Sequence, residues 1–169
     1  MISEKLSGAL SDQANAEFYS AYLYLAMSAY ADNAEFKGIA NWLYVQALEE
    51  QVHGTHIIKH LLERGASPVF ADIKAPQASY GNIAEIFDKI VAHEKHVTGL
   101  INKIADLALE EKDHATYNFI LSYVSEQIEE EASAGEIAAR VRLIKDRPDQ
   151  LYHLDSVLGA RQFKDPFGG

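Results

Sequence analysis

Apolar residues recur along this chain every three or four positions. Leu6, Leu10, Ala14, Ala21, Leu25 and Met27 mark one such stretch, and Ile39, Leu43, Ala47, Ile57 and Leu61 a second. Ile83, Phe87, Ile90, Val97, Ile101 and Ile104 form a third, and Ile120, Tyr123, Ala134, Ile137, Val141 and Ile144 a fourth. This is helical spacing, and no strand-like alternation competes with it. The four prolines, Pro68, Pro76, Pro148 and Pro166, leave both halves of the chain free for long helices. The pattern predicts helices over roughly 4–32, 35–63, 82–110 and 114–145. The joints near Asp32-Asn33-Ala34 and Glu111-Lys112-Asp113 are short, so helices one and two should be antiparallel neighbours, as should three and four.

The middle connection, Arg64 to Gly81, is different. Extended, it reaches about 55 Å, enough to cross the roughly 42 Å length of a 28-residue helix. An all-α four-helix bundle with a long crossover between helices two and three follows, occupying about residues 4–145 of a single domain over 1–169. Asn82 and Glu85 have the spacing of a capping box at the third helix. A short fifth helix over about 148–160, with Pro148 in its first turn, aligns Leu151, Leu154 and Leu158. That apolar face must either fold back on the bundle or meet other subunits. Residues 162–169 read as terminal coil.

The chemistry lies where the stripes are interrupted. Glu17 breaks the row Leu6, Leu10, Gln13, Glu17, Ala21, Tyr24, and Glu50 and His53 break the row Ile39, Leu43, Gln46, Glu50, His53, Ile57. Glu94 interrupts the third helix, and Gln127 and Glu130 interrupt the fourth. No Lys or Arg stands in these rows. Ionised carboxylates gathered in an apolar interior require protonation or cations. The four glutamates carry the charge that two divalent ions such as Fe²⁺ would balance, with His53 as a nitrogen ligand and Gln127 as an amide oxygen or a hydrogen bond. A lone buried Glu or His is usually a satisfied core polar group, but these six are related. The pairs Glu17/Glu94, Glu50/Gln127 and His53/Glu130 are each separated by 77 residues, so two similar helical hairpins would bring all six to one level. Tyr24, seven residues after Glu17, either hydrogen-bonds a ligand, donates an electron or simply packs. Glu49, Glu126, Glu129 and Glu131 lie beside this level, as a further metal site or as solvated surface. The remaining histidines, His56, His60, His93, His96, His114 and His153, read as surface residues.

Composition narrows the class. Fifteen Lys and Arg against 25 Asp and Glu give a net charge of -10, the wrong sign for holding nucleic acid. The absence of cysteine excludes disulfides, thiolate metal sites and a cysteine nucleophile, so any metal sits on nitrogen and oxygen ligands. No signal-peptide or transmembrane run is seen, and the chain reads as cytoplasmic with no membrane partner.

Ala16-Glu17-Phe18 with Tyr24, Glu49-Glu50-Gln-Val-His53, His93-Glu94-Lys95 and Ser125-Glu126-Gln127-Ile-Glu129-Glu130-Glu131 together resemble the bacterial non-haem ferritins over essentially the whole chain. The resemblance implies a ferritin-like bundle, a homo-oligomeric shell of 24 subunits, and iron storage and detoxification. It implies a ferroxidase that oxidises Fe²⁺ with O₂ or H₂O₂. Glu17, Glu50 and His53 would hold one iron, Glu50 would bridge, Glu94 and Glu130 would hold the other with Gln127 nearby, and Glu49, Glu126, Glu129 and Glu130 would form a third iron site. Bacterioferritins would carry a second Glu-x-x-His where Gln127 and Glu130 stand, and a haem-ligating Met where Gln51 and Val52 stand. The only methionines are Met1 and Met27, so no haem is expected. Ser122 departs from the bulky aromatic of several relatives, which bears on oxidation kinetics. Two rival readings remain at this level: a di-iron oxidase or peroxidase of a small substrate, which has no evident use for a fifth helix, and a non-catalytic bundle binding a partner through Leu151, Leu154 and Leu158, which gains nothing from a carboxylate core.

Overall fold

A computed structural model describes residues 2–168. Five helices account for its regular structure: α1 (Glu4–Asn33), α2 (Lys37–Glu63), α3 (Ile83–Glu110), α4 (His114–Ile144) and α5 (Pro148–Leu158), with no strand among the described residues. The helix bounds follow from local chemistry. Ser3 Oγ accepts from the Leu6 N–H at 3.0 Å and Asp113 Oδ1 from the Thr116 N–H at 2.9 Å, each satisfying a first-turn donor. Asn82 Oδ1 accepts from the Glu85 N–H at 3.1 Å as the capping-box spacing predicts, but Glu85 Oε1 accepts from the Asn82 side-chain amide at 2.7 Å instead of the Asn82 backbone N–H.

The two hairpin turns are copies of each other. Glu35 (φ 65°) and Lys112 (φ 59°) are both left-handed, and both close a Schellman turn. The Phe36 N–H donates to the Ala31 carbonyl at 3.0 Å, as the Asp113 N–H does to that of Ala108 at 2.8 Å. All of these positions repeat at the same interval of 77 residues that relates the polar groups. The following residues differ, since Asp113 caps α4 whereas Phe36 offers α2 no side-chain cap. Asp155 of α5 supplies it, its Oδ1 accepting from the Ile39 N–H at 2.8 Å. Gly38 permits that approach, because a Cβ there would stand 1.7 Å from the Asp155 carbonyl oxygen.

The crossover is clamped to α1: Asn15 donates to the Val69 carbonyl at 2.8 Å and accepts from the Ala71 N–H at 3.0 Å. The Arg64 guanidinium grips the Asp113 carboxylate through two bonds of 2.8 and 2.7 Å, tying the end of α2 to the start of α4. Fifth-helix leucines Leu151, Leu154 and Leu158 pack back on the bundle, and Tyr152 stacks on Phe36 at 5.4 Å.

The apolar core is divided. One cluster gathers Met27, Ile39, Leu43, Ile86, Phe87 and Val141, and a second gathers Leu6, Leu10, Ile57, Leu61, Ile101 and Ile120. Between them lies a layer of buried polar groups at mid-bundle. Three expectations are corrected. Leu25, read as part of the inner stripe, is 45% exposed because it lies on the outer face that α1 shares with α2, beside Tyr22 and Tyr44. Two of the histidines read as surface residues are enclosed: His60 stacks on Phe119 at 3.9 Å and shares a 3.2 Å hydrogen bond with Thr116, and His93 lies 2.8 Å from Ser20 Oγ. The terminal segment is not free coil, since Arg161 and Phe167 fold onto α2 and α4, where a carboxylate and aromatic rings receive them.

Candidate metal centre

The mid-bundle layer brings one face of each long helix to a common level, with Glu17 from α1, Glu50 and His53 from α2, Glu94 from α3 and Gln127 and Glu130 from α4. All six are buried, none more than 9% exposed. A ligand atom of each of Glu17, Glu50 and His53 lies within 4.8 Å of the others, a spacing one cation can span. Glu50 Oε2 approaches His53 Nδ1 at 3.2 Å. His53 Nε2 and Glu17 Oε2 are buried with no hydrogen-bond partner, which leaves an imidazole nitrogen and a carboxyl oxygen unsatisfied in the layer.

The other half is built differently. The Gln127 amide donates to Glu94 Oε2 at 3.2 Å, so in this arrangement Gln127 acts as a hydrogen-bond donor. Tyr24 donates its hydroxyl to Glu94 Oε1, which takes the first of the roles open to it from the sequence. Glu94 and Glu130 interact electrostatically with each other and with Glu50, but they do not join the compact trio of Glu17, Glu50 and His53.

The electrostatics disfavour bare negative charge in this layer, which protonation or a bound cation would relieve. Burial, and then the neighbouring Glu50, raises the Glu17 carboxyl well above the ordinary range; burial and then Glu94 and Glu130 do the same to Glu50. Glu94 is raised by burial, and Glu130 is pushed up to about 7 by burial and then by Glu94. Among the described residues, no Lys or Arg forms an ion pair with any of the four.

Two positioning groups stood in the sequence rows without a role. Gln13 donates to Glu17 Oε1 at 2.8 Å and Gln46 to Glu130 Oε2 at 2.7 Å. Gln13 lies four residues before its acceptor Glu17, a spacing visible in the sequence, whereas Gln46 reaches across to α4, a pairing that no local spacing announces. Tyr123, four residues before Gln127, donates to the His53 carbonyl at 2.8 Å and packs its ring against the imidazole at 5.6 Å.

The lateral acidic set divides as well. Glu49, Glu126, Glu129 and Glu130 line one cavity of about 360 Å³ together with His53, Ser133 and, from the terminal segment, Arg161, Lys164 and Pro166. Glu131 is elsewhere, accepting from the Thr98 hydroxyl at 2.5 Å. Basic residues in this cavity escaped the sequence reading because they come from a segment without periodicity.

A family model described as a ferritin-like domain matches residues 7–144. The chain is 37% identical over 161 residues to a bacterial non-heme ferritin of Bacteroides fragilis, covering 95% of this chain and all of that one. It is 36% identical over 165 residues to a bacterial non-heme ferritin of Staphylococcus epidermidis, covering 98% and 99%. A solved closed form of the Archaeoglobus fulgidus ferritin, engineered by site-directed mutagenesis, superposes with a TM-score of 0.95 at 42% identity over 97% of this chain and 100% of that one. Near-complete coverage of chain and backbone alike, with a buried carboxylate and imidazole layer across the bundle, makes this chain a member of the ferritin family.

Proposed function

We propose that this protein stores and detoxifies iron, taking Fe²⁺ as its substrate at a di-iron ferroxidase centre inside each subunit. The observation that carries the reading is the uncompensated carboxylate layer between two apolar clusters, with His53 Nε2 and Glu17 Oε2 unpartnered. Glu17, Glu50 and His53 hold one iron, Glu50 bridges, and Glu94 and Glu130 hold the second beside Gln127. Hard carboxylate oxygens favour Fe³⁺ over Fe²⁺ and so promote oxidation. Two Fe²⁺ supply the two electrons that take O₂ to peroxide or H₂O₂ to water, and the ferric product leaves for mineral growth. Glu49, Glu126, Glu129 and Glu130 serve a third iron.

Storage requires a cavity, which one bundle does not enclose. Tyr22, Leu25, Tyr44 and Ile73 leave an apolar groove on the outer face of α1 and α2, a surface suited to a homo-oligomeric shell, which we take to have 24 subunits. No helix among the described residues is long and apolar enough to cross a membrane, and we place the protein in the cytoplasm.

Aerobic addition of Fe²⁺ far above two per chain, followed by size-exclusion chromatography and iron analysis, tests oxidation, assembly and storage together. Iron greatly exceeding two per chain should elute with a large particle, and Glu50→Ala should abolish the rapid oxidation phase. Two irons on a small oligomer, with the remainder precipitating, would overturn storage; unchanged rapid oxidation in Glu50→Ala would overturn the site.

A further inference from the structure

The cavity beside the di-metal layer contains cations of its own. Arg161 Nη2 donates to Glu49 Oε2 at 2.5 Å, and the guanidinium carbon lies 4.7 Å from the centre of the Trp42 ring. The pair is largely enclosed, the two side chains 25% and 14% exposed. The backbone entering it is fixed to α2, because the Asn41 amide donates to the carbonyls of Gly159 and Arg161 at 3.3 and 2.9 Å. Beyond it the Phe167 N–H donates to Asp165 Oδ1 at 2.9 Å, a tight turn that sends the Phe167 ring inward. The ring lies 3.9 Å from that of His56 and 5.5 Å from that of His53, so it covers an imidazole of the metal layer. Lys164 and Pro166 line the cavity between these two anchors.

We propose that residues 161–167 form a lid over the carboxylate cavity, and that Arg161 is a built-in counter-ion which a third metal ion must displace from Glu49. The proposal rests on the di-metal reading above. Arg161 commits one nitrogen to one carboxylate oxygen, while its Nη1 is buried and unpartnered, so the guanidinium is held incompletely and can be exchanged. A divalent ion offers twice the charge to Glu49, Glu126, Glu129 and Glu130. The lid therefore fixes an order of filling, with the di-metal centre first and the lateral cavity only after the terminal segment has moved.

Trp42 is the sole tryptophan, so its emission reports directly on the overlying guanidinium. Metal-free full-length protein is titrated with Zn²⁺, a redox-inert ion, while binding heat and Trp42 emission are recorded. In the wild type, two equivalents should bind without changing the emission, and a weaker third should shift it as Arg161 departs. Arg161→Gln should tighten the third step about tenfold and abolish its emission change, the loss of one competing ion pair. Arg161→Lys, which keeps the charge, should restore weak third-site binding. A third step equally strong in the wild type and Arg161→Gln would overturn the lid, as would emission that moves with the first two equivalents or not at all. Absence of the first two steps in the wild type would instead overturn the di-metal reading, and the lid with it.

Discussion

Replacing Glu130 by Gln should stabilise the metal-free protein, and by an amount that depends on pH. Burial and the Glu94 charge move the Glu130 carboxyl from 4.5 to about 7. A carboxyl raised on folding contributes its full stability below its unfolded value of 4.5 and loses it as pH climbs through about 7. At about 1.4 kcal/mol per pKa unit, the wild-type fold gives up ~3 kcal/mol between pH 4.5 and pH 8 through this group alone. Glutamine has nearly the same shape, keeps an oxygen for the Gln46 amide and never ionises. For a chain of this length ~3 kcal/mol corresponds to roughly 10 °C in Tm. Circular-dichroism melts in chelator at pH 8 and pH 5 should show Glu130→Gln well above the wild type at pH 8 and close to it at pH 5. Adding Zn²⁺ at pH 8 should raise the wild-type Tm more than that of the variant, because the ion supplies the missing countercharge only where the carboxylate remains. A variant destabilised equally at both pH values would refute the account, since it would make Glu130 a packing and hydrogen-bonding residue and not an uncompensated charge.

Gly38→Ala should cost about 2 kcal/mol and loosen α5, because the new Cβ collides with the Asp155 carbonyl and disrupts the cap on α2; denaturant melts and protease sensitivity near residue 158 would measure both. Lys112→Gly should stabilise by about 0.5–1 kcal/mol by relieving a left-handed φ, read as a rise in denaturation midpoint. Tyr24→Phe removes the hydroxyl that orients Glu94, so Fe²⁺ oxidation in stopped flow should slow severalfold while two Zn²⁺ still bind in calorimetry; loss of binding would instead make Tyr24 structural. The first two Zn²⁺ should bind the wild type in unequal steps, with Glu17→Gln weakening the tighter one; two equal steps, or an unaffected tight step, would contradict the asymmetry of the layer.

Most of this architecture is legible in the sequence because it rests on periodicity. The four stripes give the helices, and prolines and short polar joints bound them. The interval of 77 residues relates Glu17 to Glu94 in the sequence itself, and it extends to Ala31 with Ala108 and Glu35 with Lys112, the residues that close both hairpins. What periodicity does not carry was missed. Leu25 obeys helical spacing yet faces outward, where it lines a groove with Tyr22, Tyr44 and Ile73 on the outer face of α1 and α2. Arg161 and Phe167 lie in a segment without repeat, and their partners, Glu49 and His56, are more than a hundred residues away. Asp155 as the cap of α2 is hidden for the same reason. Long-range polar pairing has no local signature.

The repeat is kept in the backbone and broken in the chemistry, and that break shapes the centre. Two hairpins with matching turns would build two matching half-sites if every group were repeated. Here the positions of Glu50 and His53 are occupied in the second half by Gln127 and Glu130. Glutamine cannot supply negative charge, and its amide is already donating to Glu94, so the second half keeps two carboxylates, Glu94 and Glu130, but lacks the imidazole and the carboxylate at the Glu50 position. The first half has a ligand trio within 4.8 Å and an unpartnered imidazole nitrogen. A cation therefore finds a nearly complete site at Glu17, Glu50 and His53. In the proposed centre a second cation would have to draw Glu94 and Glu130 away from Tyr24, Gln127 and Gln46. Those hydrogen bonds moderate the charge of the empty layer, and giving them up is the reason the second ion should bind more weakly than the first.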